Sequence, residues 1–442
     1  MQKTVHTIAW ITGMIIITLY SSGCKKKEDI QLPKGRPEKP MELFFGKDIN
    51  VNRPKIIHLY KDTVYTLTQF LERRSGEQLI IDEGTLIKAV SGSASYIIID
   101  PGAVILANGT AANPIIFTSN AETGTQNANW GGLIIQGNAV DNSLNPHGDP
   151  ADFSGSLNYV RVEFAKLNLT GVGNKSLVQN VQVSYSSSNS FEINGGSFNA
   201  RNLVSYACGG PADIYISRGY SGKMQNILAY RHPFFASTGY TNAGIYIENN
   251  PDNPGGATPN TMPVISNATV LGPGTQNGTA APYADTNKRS AALVTTKNAG
   301  FHIRNSLFLA FPEGSWYLDD ALTADAIRYG RAEADHSVFH SNDSSRAFYL
   351  QPLVYPPFAN DDFKKFELTL PLHNELRRSI DDLLLQDAPY PKDNSPVLQG
   401  ADFSTPAFSD DFFIKVSWRG ALGKESWLAG WTNFTPLTTK YN

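Results

Sequence analysis

The chain has 442 residues, with 37 Lys and Arg against 40 Asp and Glu and a formal net charge of −3. That balance gives no electrostatic basis for binding nucleic acid. Charged residues are 17% of the chain, below the ~25% of an average globular domain, and the two cysteines, Cys24 and Cys208, are too few for a disulfide framework or a cysteine-built zinc site.

The N-terminus reads as a targeting segment. Lys3 precedes an apolar run of 13 residues from Ile8 to Tyr20, and Ser21-Ser22-Gly23-Cys24 follows. Such a run is too short for a permanent membrane helix and has signal-peptide proportions. Small residues before a cysteine resemble a bacterial lipoprotein signal, which implies cleavage after residue 23 and lipidation of Cys24. Lys25, Lys26, Lys27, Glu28 and Asp29 resemble the surface-export tag of Bacteroidetes lipoproteins, which implies a lipid anchor in the outer membrane facing the medium. Residues 24–40, with Pro33, Pro37 and Pro40, read as a tether.

Residues 41–78 form a weakly patterned lead-in. At Leu79 two echoing phrases begin, LIIDEGTLIKAVSG and, 18 residues on after a matching Asp, YIIIDPGAVILANG. Asp82 and Asp100 each precede a tight turn in which Gly84 and Gly102 are predicted to carry positive φ. One Asp per turn falls far short of the oxygens that calcium requires.

Thereafter an Asn stands inside or ahead of each alternating apolar run. These are Asn180, Asn202, Asn226, Asn267 and Asn305, at steps of 22, 24, 41 and 38 residues. Period-two alternation marks half-buried strands. A second run follows each Asn: SFEING, DIYISRG, GIYIEN, AALVTT and SWYLDD. Units this short cannot fold alone, so they must stack on one core. The fold predicted is all-β, a right-handed parallel β-helix over residues 79–350. Asn suits its corners because it tolerates the left-handed backbone region and can bond to its own kind along the stack.

The phrases NPIIFTSN, NWGGLIIQGNA and LNYVRVEFA, between Asn113 and Ala165, together with DFFIKVSWRGALG and WLAGWTNF, between Asp411 and Phe434, resemble a mostly uncharacterised family of Bacteroidetes surface lipoproteins predicted to be right-handed β-helices. The resemblance implies the fold and not an activity. Arg161 and Glu163 alternate with Val160, Val162 and Phe164 and read as an outward, solvated pair. Within a helical insertion at 351–396, Pro371 to Gln386 reads as one amphipathic helix with Leu376, Ile380, Leu383 and Leu384 toward the coil. Residues 397–442 form a C-terminal cap segment.

Many right-handed β-helices are polysaccharide lyases or hydrolases, and a hydrolase needs two carboxylates at a defined separation. Glu192, Glu248 and Asp320, with Arg218, are the candidates for such a groove. His336 and His340 would lie ~13 Å apart on a strand, so no metal site is predicted, and no cofactor. Aromatic residues are the more suggestive feature. Arg231, Phe234, Phe235 and Tyr240, with Trp316 and Tyr317, are the candidate ligand contacts, rings serving as platforms for sugars. The expected role is non-enzymatic binding of an extracellular ligand, a glycan in the first instance, or adhesion. The alternatives are a lyase or hydrolase, and a structural accessory of an outer-membrane transporter complex.

Overall fold

A chain in which apolar and polar residues alternate, and which is bent at fixed intervals by one left-handed residue, winds its apolar positions inward and stacks turn on turn. The computed structural model has this form. It describes residues 37–40, 53–125, 128–232, 241–273, 289–341, 344–350, 360–386 and 389–441. The segment read as a leader, Cys24, and Phe234, Phe235 and Tyr240 lie outside the described residues.

Each turn has three faces, and every strand pairing along the coil is parallel. Face one runs from Ile56–Leu59 through Gln78–Ile81 and Val104–Asn108 to Phe301–Arg304 and Ala332–Asp335. Face two runs from Val64–Leu67 to Val338–Ser341. In the middle turns single strands such as Leu177–Ser184 bend across both faces, so a 17-stranded sheet holds the two together. Face three is a separate 10-stranded sheet from Leu71–Arg73 to Phe348–Leu350.

The bend between faces one and two falls on one column of residues with positive φ: Tyr159 at 50°, Asn180 at 52°, Asn202 at 60°, Asn226 at 60°, Asn267 at 56°, Asn305 at 57° and His336 at 48°. The first three asparagine amides of this column bond in series, starting from Asn158 beside Tyr159. Asn180 donates to Asn158 at 2.9 Å, Asn202 to Asn180 at 2.8 Å and Asn226 to Asn202 at 2.9 Å. Gly84 and Gly102 also have positive φ, at 72° and 82°.

Inward rows make one continuous core. On face one Leu59, Ile81, Ala107, Leu157, Val178 and Ala200 lie in register and are all buried. Trp316 belongs to the inward row of face three, between Leu293 and Phe348. It stacks on Phe339 at 6.1 Å and meets Phe363 edge-on at 5.2 Å. Phe363 comes from the helix Asn360–Glu367, which closes that end of the core.

Four expectations are corrected. The stack opens at Ile56 and not at Leu79, because strands of three and four residues are too short for alternation to register. Glu38–Pro40, read as tether, pairs with Val64, Tyr65 and Thr66. Pro371 to Gln386 is not a helix: His373 and Leu384 have positive φ, and the segment breaks into single 3-10 turns and two-residue strands. Its apolar side chains still face the coil, with Leu383 buried beside Val338. Arg161 and Glu163 are 3% and 0% exposed rather than solvated, because Tyr441 covers them.

Candidate functional site

A β-helix offers its three outer walls to ligands. Face two is taken by the chain itself. Residues 397–441 form an extended strap along it, from Asp402 beside Asn305 to Tyr441 beside Lys88. Outward Val204 and Leu228 are 0% exposed because they pack with Leu422, Leu428 and Trp431. At the strap's end, Lys88, Thr118, Gly124 and Tyr441 surround a recess of about 260 Å³, but Lys88 is bound to the Tyr441 carbonyl at 3.0 Å.

Face three carries an outward row of Glu192, Tyr215, Tyr246, Val294, Tyr317 and Tyr349. Tyr215 and Tyr246 stack at 5.5 Å and 30°, and Tyr317 and Tyr349 lie at 5.2 Å and 32°. Aromatic rings bind sugars through their faces, and here one face of each ring is turned to its partner within the two pairs, which Val294 separates. Glu248, two positions along, accepts from the Tyr215 hydroxyl and pairs with Lys297 at 3.1 Å. Burial first, and then the Glu248 charge, raise the Tyr215 phenol above its ordinary range.

Face one is where charge and space coincide. In the last two turns, alternation sends Ile303 and Ala334 inward and His302, Arg304, Glu333 and Asp335 outward. Register sets His302 beside Glu333 and Arg304 beside Asp335. With Thr405 to Phe408 of the strap as the opposite wall, these four side chains line a cleft of about 310 Å³. Arg304 is bound on both sides, by Asp335 and by Asp402 of the strap. Its guanidinium lies 5.6 Å from the Phe408 ring.

The electrostatics are those of one cation among too many acids. Burial first, and then the hydrogen bond and charge of Asp335, push Glu333 up to about 7. Glu367, 1% exposed behind the cleft, is raised well above the carboxylate range by burial and then by Glu333 and Asp335. Burial lowers the His302 imidazole, and Arg304 adds to that against the pull of Asp335; a neutral ring accepts a hydroxyl hydrogen. Asp402 is held low: burial works against it, but hydrogen bonds from Ser404 and then Arg304 outweigh that.

A glycosidase sets its two carboxyl groups ~5 to 9.5 Å apart across the scissile bond. Here Glu333 and Asp335 share a strand, with the Asp335 carboxylate close enough to raise Glu333, and none of the facing strap residues Thr405 to Phe408 is an acid. Arg304 is the cleft's one Lys or Arg side chain among the described residues and is bound by both Asp335 and Asp402. No group of three metal-ligating side chains occurs among the described residues.

Of the groove residues named from sequence, Glu248 and Arg218 both come beside Tyr215, and each of the others is engaged elsewhere. Glu192 pairs with Lys166 at 2.8 Å and Arg218 with Asp252 at 3.3 Å. Asp320 is the N-cap of the helix Ala321–Arg328, accepting from Leu322 and Thr323. Arg231, 1% exposed, is buried against Asp213 at 2.9 Å, and Trp316 is 0% exposed in the core; neither is a ligand platform. Tyr317 stands on face three. Cys208 is a buried free thiol, raised by its burial. Glu333 and Asp335 escaped the reading because the corner after them is His336, so the column of Asn that carried the phase stops one turn early. The cue available was AEAD after HIR, small residues inward and charges outward on successive turns.

Three-faced parallel coiling, an inward aliphatic ladder and a lateral cleft define a parallel β-helix. The family model for the pectate-lyase-like β-helix domain matches residues 52–306, and the chain belongs to that family. No curated protein and no solved structure matches it. The matched span includes His302 and Arg304 and ends before Glu333, Asp335 and the strap.

Proposed function

We propose that this protein is a lipid-anchored β-helix of the outer-membrane surface that holds an extracellular glycan in the face-one cleft without cleaving it. The observation carrying the reading is the placement of Glu333 and Asp335, two acids on one strand beside His302, across from Thr405 to Phe408, none of which is an acid. Carboxyl groups and a neutral imidazole supply the hydrogen-bond acceptors that sugar hydroxyls require. Membership in a pectate-lyase-like family supports a glycan as the ligand class. The anchor rests on the lipoprotein-like run ending at Cys24, and the outward orientation on Lys25 to Asp29.

Incubation of the purified full chain with a panel of polysaccharides, scoring both retention and new reducing or unsaturated ends, tests this. Retention without new ends is the expected result. New ends that disappear in Glu333→Gln would replace binding by catalysis. Retention of nothing in the panel would leave the third reading, a structural part of an uptake complex.

A further inference from the structure

Before it runs along face two, the strap makes a closed loop over face one. Gly400 and Gly420 bracket the loop with φ of 90° and 87°, conformations that glycine adopts freely. The Ala401 N–H donates to the Ser417 carbonyl at 3.1 Å, so the two ends meet. The filling is the loop's own: the Phe413 ring lies 5.1 Å from Phe412, 5.3 Å from Phe408 and 6.4 Å from Phe403. None of these rings joins the apolar packing of the coil's core or of face two, which Leu422, Leu428 and Trp431 enter soon after. Surface loops closed at the base and packed internally are compact units. Among the described residues no backbone-to-backbone hydrogen bond joins 401–418 to the coil. Coil side chains hold it instead: Lys223 to Asp410 at 2.6 Å, Arg201 to the Phe412 carbonyl, Gln225 to Ile414 at 2.7 and 2.8 Å, and Arg304 and Asn305 to Asp402. The side chains of Lys223 and Asp410 are 30% and 42% exposed, and an ion pair so open to water contributes little.

We propose that residues 401–418 are a lid on the face-one cleft, which swings about Gly400 and Gly420 and bares the wall beneath it to a polysaccharide chain. This rests on the glycan-binding reading and adds how the site opens. Under the lid Arg201, Gln225, Ser266 and Arg304 stand in register on four successive strands, ~14 Å of wall at ~4.8 Å per strand. Met224 and Ile265 lie in the core, so Gln225 and Ser266 point outward, yet both are 0% exposed because the loop covers them. Closed, the cleft has about 310 Å³, the low end of a small-molecule pocket, and the lid's own Thr405 to Phe408 form its far wall. Raising the lid turns this enclosed cleft into a groove that runs from Glu333 to Arg201.

The test uses the full chain carrying Ser266→Cys, alkylated with iodoacetamide, with peptide masses reading the introduced thiol and Cys208 separately. Cys208 is 0% exposed in the coil and reports unfolding of the whole. The introduced thiol is expected to react at least about tenfold faster than Cys208, because a lid opens below the cost of global unfolding. Asp410→Asn with Phe412→Ala, two changes on the lid that leave the coil wall intact, is expected to speed it about fivefold more. Asp410→Asn alone gives a smaller change of the same sign, and thermal melting verifies that each variant is folded. Reaction at the rate of Cys208 in every variant overturns the proposal, since the loop then leaves only when the coil unfolds. On immobilised xylan, dextran and polygalacturonate, the loosened variant is expected to bind at least about threefold more tightly than wild type to whichever the wild type retains. Equal retention overturns the lid and leaves glycan binding standing. Retention of none of the three by either chain, nor of any polysaccharide in the panel, overturns both.

Discussion

Gln182 and Asn433 exchange a matched pair of hydrogen bonds: the Gln182 side-chain amide donates to the Asn433 carbonyl at 2.7 Å, and its oxygen accepts the Asn433 N–H at 2.7 Å. Gln225 does the same with Ile414, at 2.7 and 2.8 Å. Two outward side chains of the coil thus imitate a strand edge and fasten the strap to face two. Replacing both by Ala is expected to destabilise strap docking by about 2–3 kcal/mol, at ~1 kcal/mol net per bond with some mutual dependence. Hydrogen exchange over residues 410–434 measures this, and unchanged protection there would show that apolar packing alone holds the strap.

The corner column makes a separable prediction. Asn202 both donates to Asn180 and accepts from Asn226 at a φ of 60°. Asn202→Ala loses the ladder and adds left-handed strain, together about 2–3 kcal/mol. Asn202→Gly loses the ladder but not the backbone freedom, so it is expected to cost about half as much. Chemical denaturation of the two variants decides, and equal losses would remove backbone strain from the account.

Glu333 gives stability a pH dependence of definite sign. Its folded value of about 7 lies above the ~4.3 of an unfolded chain, so between those values the native state holds more protons. Stability therefore falls as pH rises from about 4.5 to about 7 and loses this contribution's slope above that. Glu333→Gln is expected to melt with a shallower pH dependence in that window. A wild-type difference confined to a lower window would mean that Glu333 titrates ordinarily.

Arg231 and Trp316 separate stability from binding. Asp213→Ala strands the Arg231 guanidinium in the core, at a cost of about 3–5 kcal/mol, and Trp316→Ala opens a cavity at a similar cost. Both variants, where folded at low temperature, are expected to keep glycan retention. Loss of retention with an unchanged melting temperature would return these residues to the binding surface.

Alternation, repeat spacing and the corner asparagines were enough to define a stacked parallel coil, because each is a local property: period two chooses an inward side, and a left-handed residue makes a bend wherever it occurs. The same locality explains what escaped. Whether an outward row is open depends on what returns to cover it, and the strap that covers Val204 and Leu228 arrives from about 200 residues away. Whether acids make a site depends on register between turns, and the column that gave the phase ends at Asn305, one turn before Glu333 and Asp335. Composition and pattern thus set the coil. Only the tertiary structure decided which wall is free and which charges meet, since both follow from contacts between segments far apart in the chain.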